Sequence, residues 1–277
     1  DWAMFRIILL SIYVIISALE SRIFNGNLLR PGEHGYLVQL DLDSIYKCSG
    51  SIISERWILS SAHCFSYTVN MVNVFQKAGT GRNRHIATVS SKRIIIHSDY
   101  VHHNDEIANR ENDIALLKTT KAIRFNDKIW AIKLAKTSPS IGQSAVIAGY
   151  GDNESKHLLP KYGIVRVTQC PYYNVEHLIC SFDKVRAGDA DSGGALTWQD
   201  TLVGVVSASC TDADRLDVEN CTTVYANVLV LKTTNYIFFF SAEYGTCSRL
   251  QCTYVFMHLV FILQENKMYL MTFLQNF

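Results

Sequence analysis

The stretch WILSSAHC at residues 57–64 indicates the fold class of this 277-residue chain. It begins with Trp57-Ile58-Leu59, a short apolar run, and passes through small polar residues to the pair His63-Cys64. Similar short runs, often β-branched and bounded by Gly, Asn, Asp or Ser, recur at 36–40, 51–53, 92–96, 114–117, 145–148, 163–167 and 202–206. Long amphipathic helix patterns are almost absent, so the sequence predicts an all-β sandwich or barrel.

Composition narrows the class of protein. The chain is 48% hydrophobic with 15 Gly and 4 Pro, which excludes a disordered chain. Its 26 Lys and Arg nearly balance its 25 Asp and Glu, giving a net charge of +1. This balance argues against a nucleic-acid partner, which would favour a broad basic face. Without its ends the chain keeps roughly 220 residues, enough for one large or two small domains.

The N-terminal region predicts export from the cell. Met4-Phe5-Arg6 supplies a start and a positive charge, and residues 7–18 form a mostly apolar run. Such a run is too short to span a bilayer core of about 30 Å and is typical of a signal peptide. We therefore interpret residues 1–21 as the signal-peptide region and expect a secreted, extracellular protein with no stable membrane anchor.

The C-terminal residues 241–277 differ in character from the rest of the chain. Residues 254–263 are apolar apart from His258, and this run is too short for a membrane span. No turn pattern connects the segment to what precedes it. It is either a genuine extension, with room for a short C-terminal helix, or sequence that is not native to the folded domain.

The cysteines suit disulfides rather than a metal site. None of them forms a CxxC pair, so we expect no structural zinc and no other metal. An even number of widely spaced cysteines is typical of disulfide-bonded secreted proteins. The eight are Cys48, Cys64, Cys170, Cys180, Cys210, Cys221, Cys247 and Cys252.

Three short segments carry residue types that can cleave an acyl bond. They are SSAHC at 60–64, NDIAL at 112–116 and DSGGAL at 191–196. Each is weak alone, but together they supply a base, an orienting carboxylate and a nucleophile in the order His63, Asp113, Ser192. A serine hydroxyl is unreactive at its free pKa and needs such a base.

These segments, with CSGSII at 48–53 and AGYG at 148–151, resemble the chymotrypsin/trypsin family of serine endopeptidases in order and spacing. The resemblance covers residues 22–236. It implies a protease domain at 22–240 made of two six-stranded antiparallel barrels, at about 23–130 and 131–240. It also implies protein or peptide substrates, protein inhibitors and no cofactor.

The resemblance assigns further residues. Cleavage after Arg22 by an activating protease would free an ammonium at Ile23 that inserts beside Asp191, a pair that must be well matched to offset its desolvation. The simpler alternative is that Arg22 only follows the signal-cleavage site. Disulfides are implied for Cys48–Cys64 and Cys170–Cys180, whereas a local bridge between Cys210 and Cys221 is our best guess.

The loop before Ser192 departs from the family. The segment AGDADS at 187–192 lacks a cysteine and the glycine that supplies one oxyanion-hole amide. A gapped alignment with three missing residues puts Asp189 on the floor of the specificity pocket. An ungapped alignment puts Arg186 on that floor and Ala190 at the glycine, so that Ala190 and Ser192 would form the oxyanion hole.

The expected pocket wall is altered as well. Ser207-Ala208-Ser209 stands where the family usually has Ser-Trp-Gly, and Thr223 replaces a glycine. Asp189 favours Arg or Lys substrates, whereas Ser209 and Thr223 favour smaller ones, and the sequence leaves both open. The alternative function is a catalytically weak or inactive homologue with a binding or regulatory role.

Overall fold

The computed structural model describes residues 23–77, 83–101, 112–151, 160–171, 177–209 and 221–229. The predicted signal peptide at 1–21, the tail at 241–277 with its allowance for a helix, Arg22 and Cys210 all lie outside these residues. Everything stated below about the structure refers to the described ranges.

The described chain is almost entirely β-structure, with two short 3-10 helices at Ala62–Phe65 and Ser91–Arg93. None of its helices is long and apolar enough to cross a membrane. The strands, in chain order, are β1 Asn27–Leu28, β2 Leu37–Leu42, β3 Tyr46–Ser54, β4 Trp57–Ser60, β5 Met71–Gln76, β6 Arg84–Ser90, β7 Ile94–Ile96, β8 Ala115–Lys118, β9 Lys133–Leu134, β10 Ser144–Gly149, β11 Lys161–Thr168, β12 Leu178–Phe182, β13 Ala195–Trp198, β14 Thr201–Ala208 and β15 Thr222–Asn227.

The first sheet is a curled antiparallel sheet of seven strands in the order β6-β5-β2-β3-β4-β8-β7. Residues of β5 alternate between buried and partly exposed, as expected for a strand with one face on a core. Strand β4, which lies between β3 and β8, is buried along its whole length. The apolar run at 57–59 thus lies inside the first barrel's sheet.

The second sheet contains a closed barrel of six strands. Its order is β11-β10-β13-β14-β15-β12, and β12 pairs back onto β11 to close the ring. The short strands β1 and β9 attach to β11 and β14 at its margin. The buried core includes Ile147, Val165, Leu196 and Tyr225. Closure leaves this barrel without open edges between its six strands.

The predicted all-β architecture with two barrels is confirmed. The first sheet has seven strands rather than six because Ile94–Ile96 pairs with β8. The expected first barrel at 23–130 also contains a strand that belongs elsewhere, since β1 pairs with Tyr162 and Lys161 of the second barrel. From residue 23 onward, the described chain therefore contributes β1 to the second barrel, forms the first barrel, and returns to the second.

Two predicted disulfides are confirmed. Cys48 of β3 bonds to Cys64, the residue after His63, and Cys170 bonds to Cys180 of β12. Cys221 is disulfide-bonded to a partner outside the described residues. The bridge from Cys221 to Cys210 therefore stays a prediction.

Candidate active site

Backbone and hydroxyl contacts lock the two barrels together around Ser192. The amide of Ser49 on β3 donates to the carbonyl of Ser192 at 2.7 Å. The carbonyl of Val206 on β14 accepts from both the Ser61 hydroxyl at 2.6 Å and the Gly193 amide at 2.8 Å. The segment that precedes His63 and the segment that carries Ser192 thus share one acceptor.

Gly193 lets the serine segment approach the first barrel. Its φ is +82°, a backbone conformation that favours glycine. A Cβ atom there would collide with the Ser49 carbonyl oxygen and the Ser60 hydroxyl. The glycine after Ser192 is therefore required by close packing between the barrels.

His63 and Asp113 form a hydrogen-bonded pair. The 3-10 turn Ala62–Phe65 carries His63, and Asp113 lies just before β8, with 0% of its surface exposed. Nδ1 of His63 lies 2.7 Å from Oδ2 of Asp113, and the His63 backbone amide donates to Oδ1 at 2.8 Å. The hydroxyl of Ser207 donates to the same Oδ2 at 2.5 Å. Both carboxylate oxygens are thereby engaged, which fixes the imidazole ring.

The charge state of Asp113 follows from these contacts. Burial alone would raise its pKa, but the attraction of His63 and the hydrogen bonds from His63 and Ser207 outweigh burial. The pKa of Asp113 is therefore lowered from its usual value. The group stays an anion at neutral pH and favours the tautomer of His63 that has its proton on Nδ1.

Ser192 is half-buried at the junction of the barrels. Among the described residues no hydrogen bond joins its hydroxyl to Nε2 of His63. Such contacts are often long before substrate binds, so the geometry is compatible with a nucleophile and its base. The structure brings the three predicted catalytic residues to one junction.

The backbone of the loop before Ser192 turns through Ala190 in the left-handed region, with φ +62°. The amides of Asp191 and Gly194 bond to Gly188 and Asp191 carbonyls within the loop. Within the described part of the chain, the amides of Ala190 and Ser192 donate to no other group. Two free donors beside the hydroxyl of Ser192 suit a site for a developing oxyanion.

Asp191 is a second buried carboxylate, 0% exposed. Its Oδ1 accepts from the Gly151 amide at 2.8 Å and its Oδ2 from the Gly188 amide at 2.9 Å. Burial raises the pKa of Asp191 to about 7. The two amides and the charge of Lys161 lower this pKa, and Asp189 raises it further.

The segment expected to follow the activation cut is docked on the second barrel. Ile23 is fully buried in that barrel's core. The Phe24 amide donates to the Arg186 carbonyl at 2.8 Å, and the Asn25 side chain donates to the Lys184 carbonyl at 2.8 Å. Residues 23–25 therefore lie along the segment that leads into the loop of Asp191.

Three of the residues expected around the specificity pocket lie in contact with one another. Thr223 is 0% exposed, and its Oγ1 accepts from the Ala187 amide at 3.3 Å. The hydroxyl of Ser209 lies 3.4 Å from the same Oγ1. Asp189 is exposed, whereas Arg186 is buried. The burial of Arg186 and the exposure of Asp189 agree better with the ungapped alignment, and which residue lies on the pocket floor stays a prediction.

Sequence reasoning misses part of the site. It expects Ser207 on the pocket wall, which stays a prediction, and it does not anticipate that the hydroxyl of Ser207 donates to Asp113. It does not single out Ser49, Ser60 and Ser61, although all three form contacts at the barrel junction. The available signal was the pair of serines immediately before Ala62 and His63.

Comparison with known proteins agrees with this geometry. A sequence model of the family described as Trypsin matches residues 23–232. The chain belongs to the trypsin family. A trypsin of Sarcophaga bullata is 32% identical over 207 residues, covering 68% of this chain and 79% of that protein.

Other trypsin-family relatives come from a second fly. Trypsin theta of Drosophila erecta is 28% identical, covering 68% of this chain and 76% of that protein. Trypsin epsilon of the same species is 29% identical, covering 70% and 79%. The chain therefore has the serine-protease fold of the trypsin family.

The raised pKa of Asp191 predicts a pH-dependent stability for the uncut chain. Between about pH 4 and pH 7 the carboxyl is protonated when folded and ionised when unfolded, so the folded state binds more protons. Stability should fall as pH rises through this window, by at most about 1.4 kcal/mol for each pH unit. Urea unfolding at several pH values measures the slope. Asp191→Asn should reduce the slope of the unfolding free energy against pH, and the exposed control Asp127→Asn should leave the slope unchanged. Equal slopes for Asp191→Asn and wild type would show that Asp191 does not have a raised pKa.

Proposed function

We propose that the chain is a secreted serine endopeptidase that hydrolyses peptide bonds with Ser192, His63 and Asp113. The observation that supports this proposal is the hydrogen-bonded chain from Ser207 through Asp113 to His63. The Ser192 carbonyl accepts from the amide of Ser49 in the first barrel. The signal-like segment at 1–21 and two disulfides support secretion, because disulfides persist in oxidising compartments.

The proposed chemistry has two half-reactions, and in each of them His63 first accepts a proton and then donates it. Nε2 of His63 takes the proton from the Ser192 hydroxyl while its oxygen attacks the substrate carbonyl. Asp113 remains an anion and stabilises the imidazolium that forms. His63 then gives the proton to the leaving amine, and water repeats the sequence to release the acyl group.

The two free amides of the loop before Ser192 would stabilise the intermediate. Negative charge develops on the substrate carbonyl oxygen during attack, and the amides of Ala190 and Ser192 supply donors in a partly buried site. Losing one such donor typically slows a reaction by roughly 10²–10³-fold. The conformation of Ala190 therefore bears directly on the rate.

Activation by cleavage after Arg22 extends the proposal. A free ammonium at Ile23 would meet the buried carboxylate of Asp191 and favour its charged form. The docking of Phe24 and Asn25 on the segment before the loop already directs Ile23 into the second barrel. An activating protease is thus a proposed partner, along with protein substrates and protein inhibitors.

Replacing the nucleophile tests the proposal. Ser192→Ala should abolish peptide hydrolysis and labelling by a fluorophosphonate, which reacts with an activated serine hydroxyl. The exposed Ser140→Ala serves as the matched control and should react like wild type. Equal labelling of Ser192→Ala and wild type would show that the nucleophile lies elsewhere.

Removing the activation site tests the zymogen step. Arg22→Gln should stay uncut when an activating protease is added and should remain inactive, because Ile23 never gains an ammonium. Arg30→Gln, an exposed arginine eight positions downstream, should be cut and activated normally. N-terminal sequencing and peptide hydrolysis measure both properties; full activity from uncut Arg22→Gln would exclude the mechanism.

A catalytically weak homologue is the second candidate, and the backbone of Ala190 favours it. A side chain in the left-handed region costs about 1–2 kcal/mol relative to glycine. That strain opposes the conformation that frees the two amides. A loop that leaves this conformation part of the time would bind peptides but turn them over slowly.

Ala190→Gly separates the two candidates. The change should raise the free energy of unfolding by about 1 kcal/mol, because glycine tolerates a φ of +62°. If strain limits catalysis, fluorophosphonate labelling should also become several-fold faster. Gln199→Gly relieves a similar φ of +48° in a distant turn and should stabilise without faster labelling. Equal labelling rates for Ala190→Gly and wild type would argue against the weak homologue.

A further inference from the structure

The turn that follows Ile23 contains the one Asn-Gly pair of the sequence, Asn25-Gly26. The Gly26 amide donates to the Ile23 carbonyl at 3.0 Å and closes a β-turn. Asn25 takes the third position of this turn with φ +55°, a left-handed conformation that asparagine tolerates. Its side chain is exposed, and Nδ2 donates to the Lys184 carbonyl at 2.8 Å. The turn and its contact with the second barrel therefore both use nitrogen atoms of this pair.

Close packing requires glycine at position 26. A Cβ atom built on Gly26 would lie 2.8 Å from Cγ2 of Ile23 and 2.9 Å from the carbonyl oxygens of Ile23 and Tyr162. Two of these three neighbours are backbone atoms, which cannot rotate away as a side chain can. The fold therefore keeps a glycine directly after Asn25, and glycine has no side chain to shield its own backbone nitrogen.

Asparagine is a chemically labile residue, and the unshielded nitrogen that follows Asn25 gives it a route to react. The Gly26 nitrogen loses its proton to solvent and forms a bond to Cγ of Asn25. Nδ2 leaves as ammonia after it takes a proton from water, and a cyclic imide remains. A water molecule then opens the imide at one of its two carbonyl carbons. The product is aspartate, or isoaspartate with the main chain running through the former side chain, and water is the only co-reactant.

The folded chain engages both of the nitrogen atoms that this reaction uses. The nitrogen that must attack, that of Gly26, donates its hydrogen to the Ile23 carbonyl. The nitrogen that must leave, Nδ2 of Asn25, donates to the Lys184 carbonyl. Ile23 is fully buried in the core of the second barrel, which anchors the turn. The reaction therefore requires residues 23–26 to detach first, and its rate follows the population of the detached state.

We propose that Asn25-Gly26 is a site of spontaneous deamidation, that docking of residues 23–26 on the second barrel protects it, and that deamidation weakens this docking. Aspartate at position 25 presents a carboxylate oxygen to the Lys184 carbonyl, where the amide presented an N–H. Isoaspartate adds an atom to the backbone just before β1 and so disturbs the register of β1 with β11. The site thus records irreversibly the time that the N-terminal segment spends detached, and the inference does not depend on catalysis.

Peptide mass spectrometry measures the reaction in the full chain. Wild-type protein is incubated at mildly alkaline pH, either folded or in concentrated guanidinium chloride, and residue 25 is scored for a gain of about one dalton. Because two hydrogen bonds and the burial of Ile23 oppose detachment, we expect the unfolded chain to react at least about tenfold faster. Exposed Asn126, which Asp127 follows, is the internal control and should react more slowly than residue 25 in guanidinium chloride. Equal rates in the folded and unfolded chain, or no reaction at residue 25 in either, would overturn the proposal.

A pair of variants tests whether detachment of the segment, rather than global unfolding, controls the rate. Ile23→Ala removes the buried anchor of the turn, and Ile179→Ala removes the same side chain from β12 in the same core. Urea unfolding shows that both proteins are folded before they are compared. Ile23→Ala should deamidate at residue 25 several-fold faster than Ile179→Ala, and equal rates would contradict the inference. Where an alanine variant does not fold, Ile23→Val and Ile179→Val form the milder pair for the same comparison.

Hydrogen exchange measures the effect of deamidation on docking. The amides of Phe24 and Leu29 bond to backbone carbonyls in the docked segment, so they report its attachment. Wild type that is aged in guanidinium chloride and then refolded should lose protection at both amides, whereas freshly unfolded and refolded wild type should keep it. Asn25→Gly tolerates the left-handed φ but cannot deamidate, so after the same ageing it should keep its protection. Full protection of both amides in deamidated wild type would show that the reaction leaves docking intact and would overturn the inference.

Discussion

The burial of the Asp191 carboxylate organises the active-site loop. Two backbone amides, from Gly151 and Gly188, hold it between two segments of the second barrel. Its own backbone carbonyl accepts from Gly194 and its amide bonds to Gly188, so one residue sets the turn on both sides of Ser192. Burying a carboxylate is unfavourable unless it is hydrogen-bonded or paired with a cation. The conformation of the loop therefore depends on the groups that contact the Asp191 carboxylate.

The second constraint is the junction between the barrels. Val206 and Ser49 each bond across it through their backbone, so the junction does not depend on long flexible side chains. The 3-10 turn after β4 carries His63, and the loop before β13 carries Ser192, so rigid strands of both sheets anchor the two groups, which positions reacting groups well. Ser207, which follows Val206 on β14, donates its hydroxyl to Asp113. The site is thus assembled from the margins of two sheets, one closed and one curled.

Much of the fold and the local motifs could be predicted from sequence, because they depend on short-range patterns. All of the apolar runs singled out contain strand residues, whereas longer strands such as β5, β6, β12 and β15 lie outside them. The alternation of β5 and β6 includes polar residues such as Asn73 and His85. The contact between Ser207 and Asp113 spans 94 positions and leaves no local pattern. The burial of Arg186 and the left-handed φ of Ala190 depend on contacts with distant residues, which the sequence of the loop does not contain.

The pairing of β1 with β11 sets the order in which the chain can mature. Residues 27–28 pair with residues 161–162, and Ile23 belongs to the same buried core as Tyr225. The N-terminal segment therefore cannot complete its contacts until nearly the whole domain has been synthesised. Contacts of such long sequence separation slow folding and leave apolar surface open during synthesis. The first barrel is in effect an insertion between two strands of the second. During vectorial synthesis it can form early, while the second barrel closes only after residue 225 emerges and the waiting N-terminal segment completes its core.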